Sequence, residues 1–580
     1  MRLSGFYLLL SLAAVDAATW SPPASNSIPW SLGICGVPGG IRRPSITYTS
    51  YTSSATPANV QTGINNCPSN QVVGMAAGTY AWSSGVTFGT GDDGVALILT
   101  NATINYSGSS AAFTLGGDTS LSAGSLLTTN HPKGSSNITV VSAAGLTVGW
   151  MCLVDQDDDT NLVWMKSALG RHLTQVSQIT AVNGNTVTIW PPLIWHFSSN
   201  LTARLKDWSG TQIEYSGIEG IGNCRVDYTS ATTGTGIFVD QAFGCWVKNI
   251  RSILNDNYHM DTLNSTRCTW EGNYYDDTPI HDPNHAGLRF YDNVTFCVVI
   301  DNIFFRAPPP IEMNLSTSGH IVAYNFSHDS YQDGFGQYNM LWASHGAHPM
   351  MNLYEGNYGN GVVADGYFGS ASHGHVFRNR LHGWTPTFPL ANSFCVGPKR
   401  WSLFWYVVGN VLGRTGTDFY SVTNQSWSVG DTKTTVFELG FPNVGNQQYT
   451  GARPPNAPQN PGDDQALDWF VLTNILRHAN YDFVQMAVTN APGEETSLPA
   501  SLVADWASKP VFIGNLPWPL IGPDVNTADN ATNLTLTAGE ITNPARQRYF
   551  GDTNYLAAGG TRASVTGKSG FTGKAMIHVP

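Results

Sequence analysis

Short apolar or β-branched runs recur along the chain, and each is interrupted by a single Asn. They are Val247-Lys248-Asn249-Ile250, Glu271-Gly272-Asn273-Tyr274, Ile300-Asp301-Asn302-Ile303, Ala323-Tyr324-Asn325-Phe326, Phe377-Arg378-Asn379-Arg380 and Val408-Gly409-Asn410-Val411. The steps from Asn249 to Asn273, Asn302 and Asn325 are 24, 29 and 23 residues, near one coil of a parallel β-helix with loops of varying length. Four or five residues earlier stand Cys245, Cys268, Cys297 and His320, so two residue types recur in step. In such a solenoid the same position on successive coils lies about 4.8 Å apart, the strand spacing. Buried turn Asn side chains can then bond to their neighbours above and below and to the turn backbone. A coil that closes on itself leaves no lateral edge, and only its ends need capping.

Ala58 to Asn66 reads as a short amphipathic helix that would cap the N-terminal end, and Gln71 to Thr79 as the strand that follows. Residues 126–197 break the coil pattern. Their strand-like segments and the hairpin signal Asn183-Gly184 predict a small antiparallel β insertion. After residue 415 the pattern fades into a Pro-, Gly- and Asn-rich loop from Pro442 to Asp464, a candidate helix from Gln465 to His478, and a tail expected to fold back over the last coils. The expected division is a signal peptide at 1–18, an N-terminal cap with first coils at 19–125, the insertion at 126–197, the main β-helix at 198–415, and an irregular C-terminal extension at 416–580.

Composition narrows the function. Charged residues are 12% of the 580, against roughly 25% in an average soluble protein, which excludes coiled coils. The net charge of −12 and the lack of a Lys/Arg-rich run argue against a nucleic-acid partner. Arg2, the apolar Phe6 to Ala14 and the small Val15, Ala17 and Ala18 have the form of a secretion signal. No later segment has the roughly 18 uninterrupted apolar residues of a membrane span. The expectation is an exported, extracellular protein acting as a monomer. Its eight cysteines would then meet an oxidising compartment, with Cys35–Cys67 the first-choice disulfide. Sequons such as Asn101, Asn137, Asn293 and Asn325 are candidate glycan acceptors.

The phrase Gly36-Val37-Pro38-Gly39-Gly40, the capping helix and Gly78-Thr79-Tyr80 together resemble the opening of secreted right-handed parallel β-helix proteins of the pectate-lyase-like superfamily. The resemblance covers most of residues 35–115 and 210–415. It implies an all-β, right-handed parallel β-helix with a polysaccharide lying along the coils, in a subfamily without an assigned activity. His373-Gly374-His375 is only superficially similar to the Gly-His-Gly of polygalacturonases. Asp282-Pro283-Asn284-His285 resembles the Asp-Pro-His of alginate epimerases with an Asn inserted, and neither match carries a role.

Candidate chemistry concentrates between residues 256 and 383, which hold ten of the fifteen His. Long loops on one face of a solenoid collect binding residues. Asp276, Asp277 and Asp282 could pair as acid and base or hold Ca²⁺, or simply make turns. His328 beside Asp329 is the first acid/base candidate, because the carboxylate could orient the ring. His281, His285, His345, His348, His373, His375, Asp333 and Arg378 are candidate substrate contacts. Counting eight residues back from Cys297 and His320 places Arg289 beside Glu312 on adjacent coils. In Ca²⁺-dependent lyases of the resembled superfamily an Arg is the catalytic base. The cysteine column reads as a buried stack, and Trp384, Trp401, Trp405, Tyr354 and Phe368 as core or as sugar-stacking faces. The reading that follows is glycan cleavage by lyase β-elimination. Hydrolysis by paired carboxylates and a non-catalytic glycan-binding adhesin are the alternatives.

Overall fold

A computed structural model describes residues 28–489, less 29, 32, 118–119, 164, 166–169, 230–233, 282–284, 333–335, 338–340, 366–367, 384–393, 415–418, 421–433, 441–468 and 484–486, together with 543–551. Asp282, Asp333, Trp384, the expected signal segment, the Pro442–Asp464 loop and most of the tail lie outside the described residues. The chain winds into a right-handed parallel β-helix of three sheets with 12, 12 and 11 strands, the crossover hand that parallel strands favour. Each coil, or rung, contributes one short strand to each sheet. The first sheet runs from Ile46–Tyr51 to Leu476–His478, the second from Gly78–Trp82 through Asn480–Asp482 to a last, antiparallel strand Ala487–Thr489, and the third begins at Val86–Phe88. Inward residues such as Leu97, Ile104, Leu288, Phe290, Ile311 and Val322 form one continuous core.

The turn between the first and second sheets explains the Asn recurrence. Asn273 N–H donates to Asn302 Oδ1 at 2.9 Å, and the same bond repeats from Asn302 to Asn325, Asn325 to Asn357, Asn357 to Asn379, Asn379 to Asn410 and Asn410 to Asn480. Each Nδ2 also reaches a strand carbonyl, as Asn325 reaches Val299 O at 3.0 Å. Asn249 is not in this file. Ile250 occupies the ladder position and donates its N–H to Asn273, while Asn249 holds the preceding left-handed position (φ 61°) that Gly272 (φ 69°) and Asp301 (φ 57°) fill on later rungs. The column of Cys245, Cys268, Cys297 and His320 stacks as expected and continues in Asn352, which accepts the His320 N–H at 2.9 Å.

All eight cysteines are buried free thiols, which corrects the disulfide expectation. Cys35 donates to Gly319 O at 3.2 Å and packs with Phe296 and Val298, whereas Cys67 belongs to the solenoid core. The stacked cysteines lie on parallel side-chain vectors a strand spacing apart, farther than the roughly 3.8 Å Cβ separation a bridge needs. Asn325 is also corrected as a glycan acceptor, since its amide is buried in the ladder. Asn101 and Asn137 are exposed.

The capping helix is Pro57–Asn65, with Thr56 and Asn59 closing its N-terminus reciprocally and Val60 and Ile64 covering the core. A six-stranded antiparallel sheet spans Ser125 to Asp207. It loops out of one turn without disturbing the coil, because Leu97 and Ile218 on either side of it remain direct partners. It docks through Val176, whose carbonyl accepts from Thr295 Oγ1 at 2.8 Å and Thr266 Oγ1 at 3.3 Å. Of the expected helix Gln465–His478, Trp469–Asn474 is helical, and 465–468 lie outside the described residues. Leu476–His478 is instead a strand that extends the first sheet, because its side chains meet the rung of Tyr406–Val408. A C-terminal helix, Pro544–Gly551, lies on the second sheet through Ala545 and Tyr549. No helix among the described residues is long and apolar enough to cross a membrane.

Replacing Asn325 by Ala removes the acceptor of the Asn302 N–H and the donor to Val299 O, buried polar groups that lose this partner. Urea unfolding of Asn325→Ala should show a loss of about 2–4 kcal/mol, against a change within about 1 kcal/mol for Asn249→Gly at its left-handed position.

Candidate functional site

The register pairs Asp261 with Arg289, and Arg289 with Glu312, on three successive rungs of the third sheet. Their strand neighbours Met260, Leu288, Phe290, Ile311 and Met313 point into the core, so the alternation of the strand turns these three side chains outward. Arg289 donates from Nε to Asp261 Oδ1 at 2.9 Å and from Nη2 to Asp261 Oδ2 at 2.5 Å. Its guanidinium lies 3.7 Å from the centre of the Tyr258 ring and 4.5 Å from that of Tyr291. Clamped in this way it is held above its ordinary pKa despite the opposing effect of burial.

Glu312 is 2% exposed. Its Oε1 accepts from Asn314 Nδ2, while Oε2 is buried and has no hydrogen-bond partner. Burial raises its pKa, against the pull of His345 and Arg289, and nearby Asp365 adds to the rise. The file continues at the edge of the sheet. His345 N–H donates to Met313 O, and His345 Nδ1 lies 2.7 Å from Asp365 Oδ2. Lys399, one rung beyond Asp365, contacts Glu438, and burial lowers it to about 7. Asp292, three residues past Arg289 and partly exposed, is raised to about 6 by burial, with His172, Lys206 and Asp240 among the charges that act on it. His172 and Lys206 belong to the antiparallel insertion, which therefore forms one wall of this face. His172 Nδ1 sits 2.7 Å from Asp158 Oδ2.

Of the residues expected from sequence, the structure brings Arg289, Glu312 and His345 together. It disperses the others among the described residues. Asp276 is fully buried in an ion pair with Arg251, whose Nε donates to Asp276 Oδ2 at 2.7 Å. Asp277 sits at a left-handed turn position, caps Thr278 N–H and contacts His281 Nε2 at 3.0 Å, which is turn chemistry. His281 stacks on Tyr331 with ring centres 4.3 Å apart, and His285 is a partly exposed residue of the same connection. His328 faces away, on the second sheet, packed among Phe305, Phe326 and Tyr549 of the C-terminal helix. Burial pushes it down to about 4. Asp329 accepts from Arg306 Nε at 2.9 Å and acts on that ring through its charge.

His348 bonds Ser372 Oγ at 2.8 Å, His373 packs edge-on against Trp195 of the insertion, and His375 against Trp30 of the N-terminal segment. All three are buried, as are Tyr354, Trp401 and Trp405. Phe368 is 41% exposed. Among the described residues no three His, Cys, Asp or Glu converge as a metal ion requires. With Asp276 committed to Arg251, the expected Ca²⁺ site does not fit. Asp261, Asp292, Asp365, Lys399 and Glu438 were missed by the sequence reading. Asp261 lies seven residues before Cys268, where the other two rungs have eight, so a fixed count passes over it.

Arg378 is buried at a left-handed turn position beside Glu355 and Tyr324. Tyr324 Oη donates to Glu355 Oε1 at 3.5 Å, and Glu355 Oε2 has no partner. Burial raises Glu355 to about 8.

No protein-family model and no curated protein matches the chain. Among solved structures it is similar to the Gp54 tailspike of Acinetobacter baumannii bacteriophage AP22, solved with capsular saccharide. That match has a TM-score of 0.46 and 11% identity, over 65% of this chain and 60% of that one. The Pseudomonas phage phi297 tailspike gp61 gives 0.42 and 13%, over 61% and 62%. The polygalacturonase of Erwinia carotovora ssp. carotovora gives 0.30 and 10%, over 64% and 79%. The chain spans less than two thirds of the length of either tailspike.

Glu355 makes a pH-dependent contribution whose sign follows from its raised pKa. Between its ordinary 4.5 and about 8 the folded state binds more protons than the unfolded, so stability falls as pH rises through that window. Glu355→Gln should remove that part of the fall, read as a flatter dependence of the urea midpoint on pH between 5 and 8 than in the parent.

Proposed function

We propose that the protein is a secreted polysaccharide-cleaving enzyme that holds a glycan along the outer face of the third sheet and hydrolyses it, with Glu312 as the general acid. One observation carries this reading: a buried carboxyl with an unpartnered oxygen and a raised pKa stands beside a carboxylate–guanidinium clamp on a continuous outer face. Glycoside hydrolysis needs two carboxyl groups in different states, one kept protonated by its surroundings. Burial favours the protonated form of Glu312. Asp292, partly exposed and near 6, is ionised at neutral pH and serves as the base.

Glu312 passes its proton to the glycosidic oxygen as the bond to the anomeric carbon breaks. Asp292 takes a proton from the water that adds to that carbon. The Arg289–Asp261 clamp and the His345–Asp365 pair fix the charges around the acid. We place hydrolysis ahead of β-elimination because Arg289 does not match the proton-abstracting Arg of the resembled lyases. A guanidinium bonded through two nitrogens to Asp261 and held above its ordinary pKa does not accept a proton.

The test is a panel of pectin, alginate and neutral glucans assayed for new reducing ends and for ultraviolet absorbance. Hydrolysis gives reducing ends without new absorbance. Unsaturated product would instead establish elimination, and neither signal would leave a binder. Glu312→Gln and Asp292→Asn should each lower kcat by about 10²–10⁴-fold. Activity should fall as the pH drops below about 6, where Asp292 takes up its proton. Full activity in both variants would refute the assignment.

A further inference from the structure

Few large hydrophobic side chains of the described residues are exposed, and two of them stand at the same edge of the third sheet. Tyr291 is 38% exposed and follows the strand Leu288–Phe290; Phe368 is 41% exposed and follows Val362–Ala364. The register runs from Arg289 to Glu312 to Trp342 to Val363, so the strands that the two aromatics follow are three rungs apart, about 14 Å at the usual strand spacing. Glu312 lies on a rung between them.

Each ring is braced from behind in a parallel way. Tyr291 carries the Arg289 guanidinium 4.5 Å from its centre, and Asp261 fixes that guanidinium. Phe368 meets His345 edge-on, with centres 4.9 Å apart, and Asp365 holds that imidazole at 2.7 Å. An exposed aromatic ring fixed by its neighbours loses little conformational entropy when a ligand covers it. It offers a flat apolar face to the C–H face of a pyranose while leaving the hydroxyls in water. Other exposed apolar side chains, such as Ile46, Val148 and Trp190, have no such link to the acid file.

We propose that Tyr291 and Phe368 are two sugar-stacking platforms, one on each side of Glu312, so that the ligand is a linear glycan of several units lying along the solenoid axis and cut at an internal bond. The inference deepens the function proposed above and rests on it for the position of the cut. The platforms themselves are tested separately, by binding.

The experiment is affinity electrophoresis of the full chain in native gels containing pectin, alginate or a neutral β-glucan. Glu312→Gln serves as the parent, so that the polymer survives the run. The parent should be retarded in at least one gel. Adding Tyr291→Ala or Phe368→Ala should each weaken that retardation about tenfold, and Phe368→Trp should retain it. Both positions are exposed, and unchanged thermal unfolding would show that the variants fold. Undiminished retardation in either alanine variant, or a parent that no polymer retards, overturns the proposal. Retardation lost in both variants, with an unimpaired rate of cleavage in Glu312→Gln, would sustain the platforms and refute Glu312 as the acid. Cleavage products released only from chain ends would overturn the internal cut.

Discussion

Every coil of this protein must reverse direction between its first and second sheets, and the turn leaves backbone amides facing inward with no strand partner. The stacked Asn side chains resolve that constraint. From Asn273 to Asn480 each side-chain oxygen accepts the main-chain N–H of the previous rung, while each Nδ2 reaches a strand carbonyl. A buried amide without a partner is worth more in lost stability than a made bond contributes. The file therefore fixes both the vertical register of the rungs and the left-handed residue that precedes each Asn. With the register fixed, every outward column on the third sheet is fixed as well.

That is how residues far apart in sequence come to share one electrostatic environment. Asp261, Arg289 and Glu312 occupy equivalent places on consecutive rungs, and Asn314, His345, Asp365 and Lys399 continue the row at the sheet edge. Burial acts in opposite senses on the two kinds of group. It raises the carboxyls of Glu312 and Asp292 and lowers Lys399, so the neutral forms of Asp292 and Lys399 become accessible near neutral pH. The antiparallel insertion contributes by position. It is pinned by Thr266 and Thr295 and brings His172 and Lys206 to bear on Asp292.

The scaffold was legible because its defining feature is periodic. The Asn and Cys columns recur at intervals a reader can count, and the Arg289–Glu312 adjacency follows from counting within a rung. The same counting slipped at Asn249, where the turn residue and the ladder residue are neighbours of like composition. It also missed Asn357, which lies 32 residues beyond Asn325, outside the interval set by the earlier rungs. The site was legible only in part, since residue type says nothing about what covers a side chain. His328, His348, His373 and His375 are polar and clustered in sequence, yet the C-terminal helix, the insertion and the N-terminal segment bury them. Asp261 and Asp365 carry no local signal, and their relevance comes from the rungs on which they fall.

The segment from Trp30 to Val37 precedes the solenoid in the chain but does not lie at its end. Trp30 donates to Met351 O, Cys35 to Gly319 O, Gly36 N–H to Phe296 O and Val37 N–H to Thr269 Oγ1, so the segment runs down the flank of four consecutive rungs like a buckle. Gly36 adopts φ +70°, and a Cβ there would lie 2.8 Å from both Thr269 and Val298, which leaves no tolerance in its seat. These contacts join residues up to 321 positions apart, and such distant closure is slow to form. During synthesis from the N-terminus the buckle emerges before the rungs it fastens, so it waits, without its partners, for the middle of the molecule to be made.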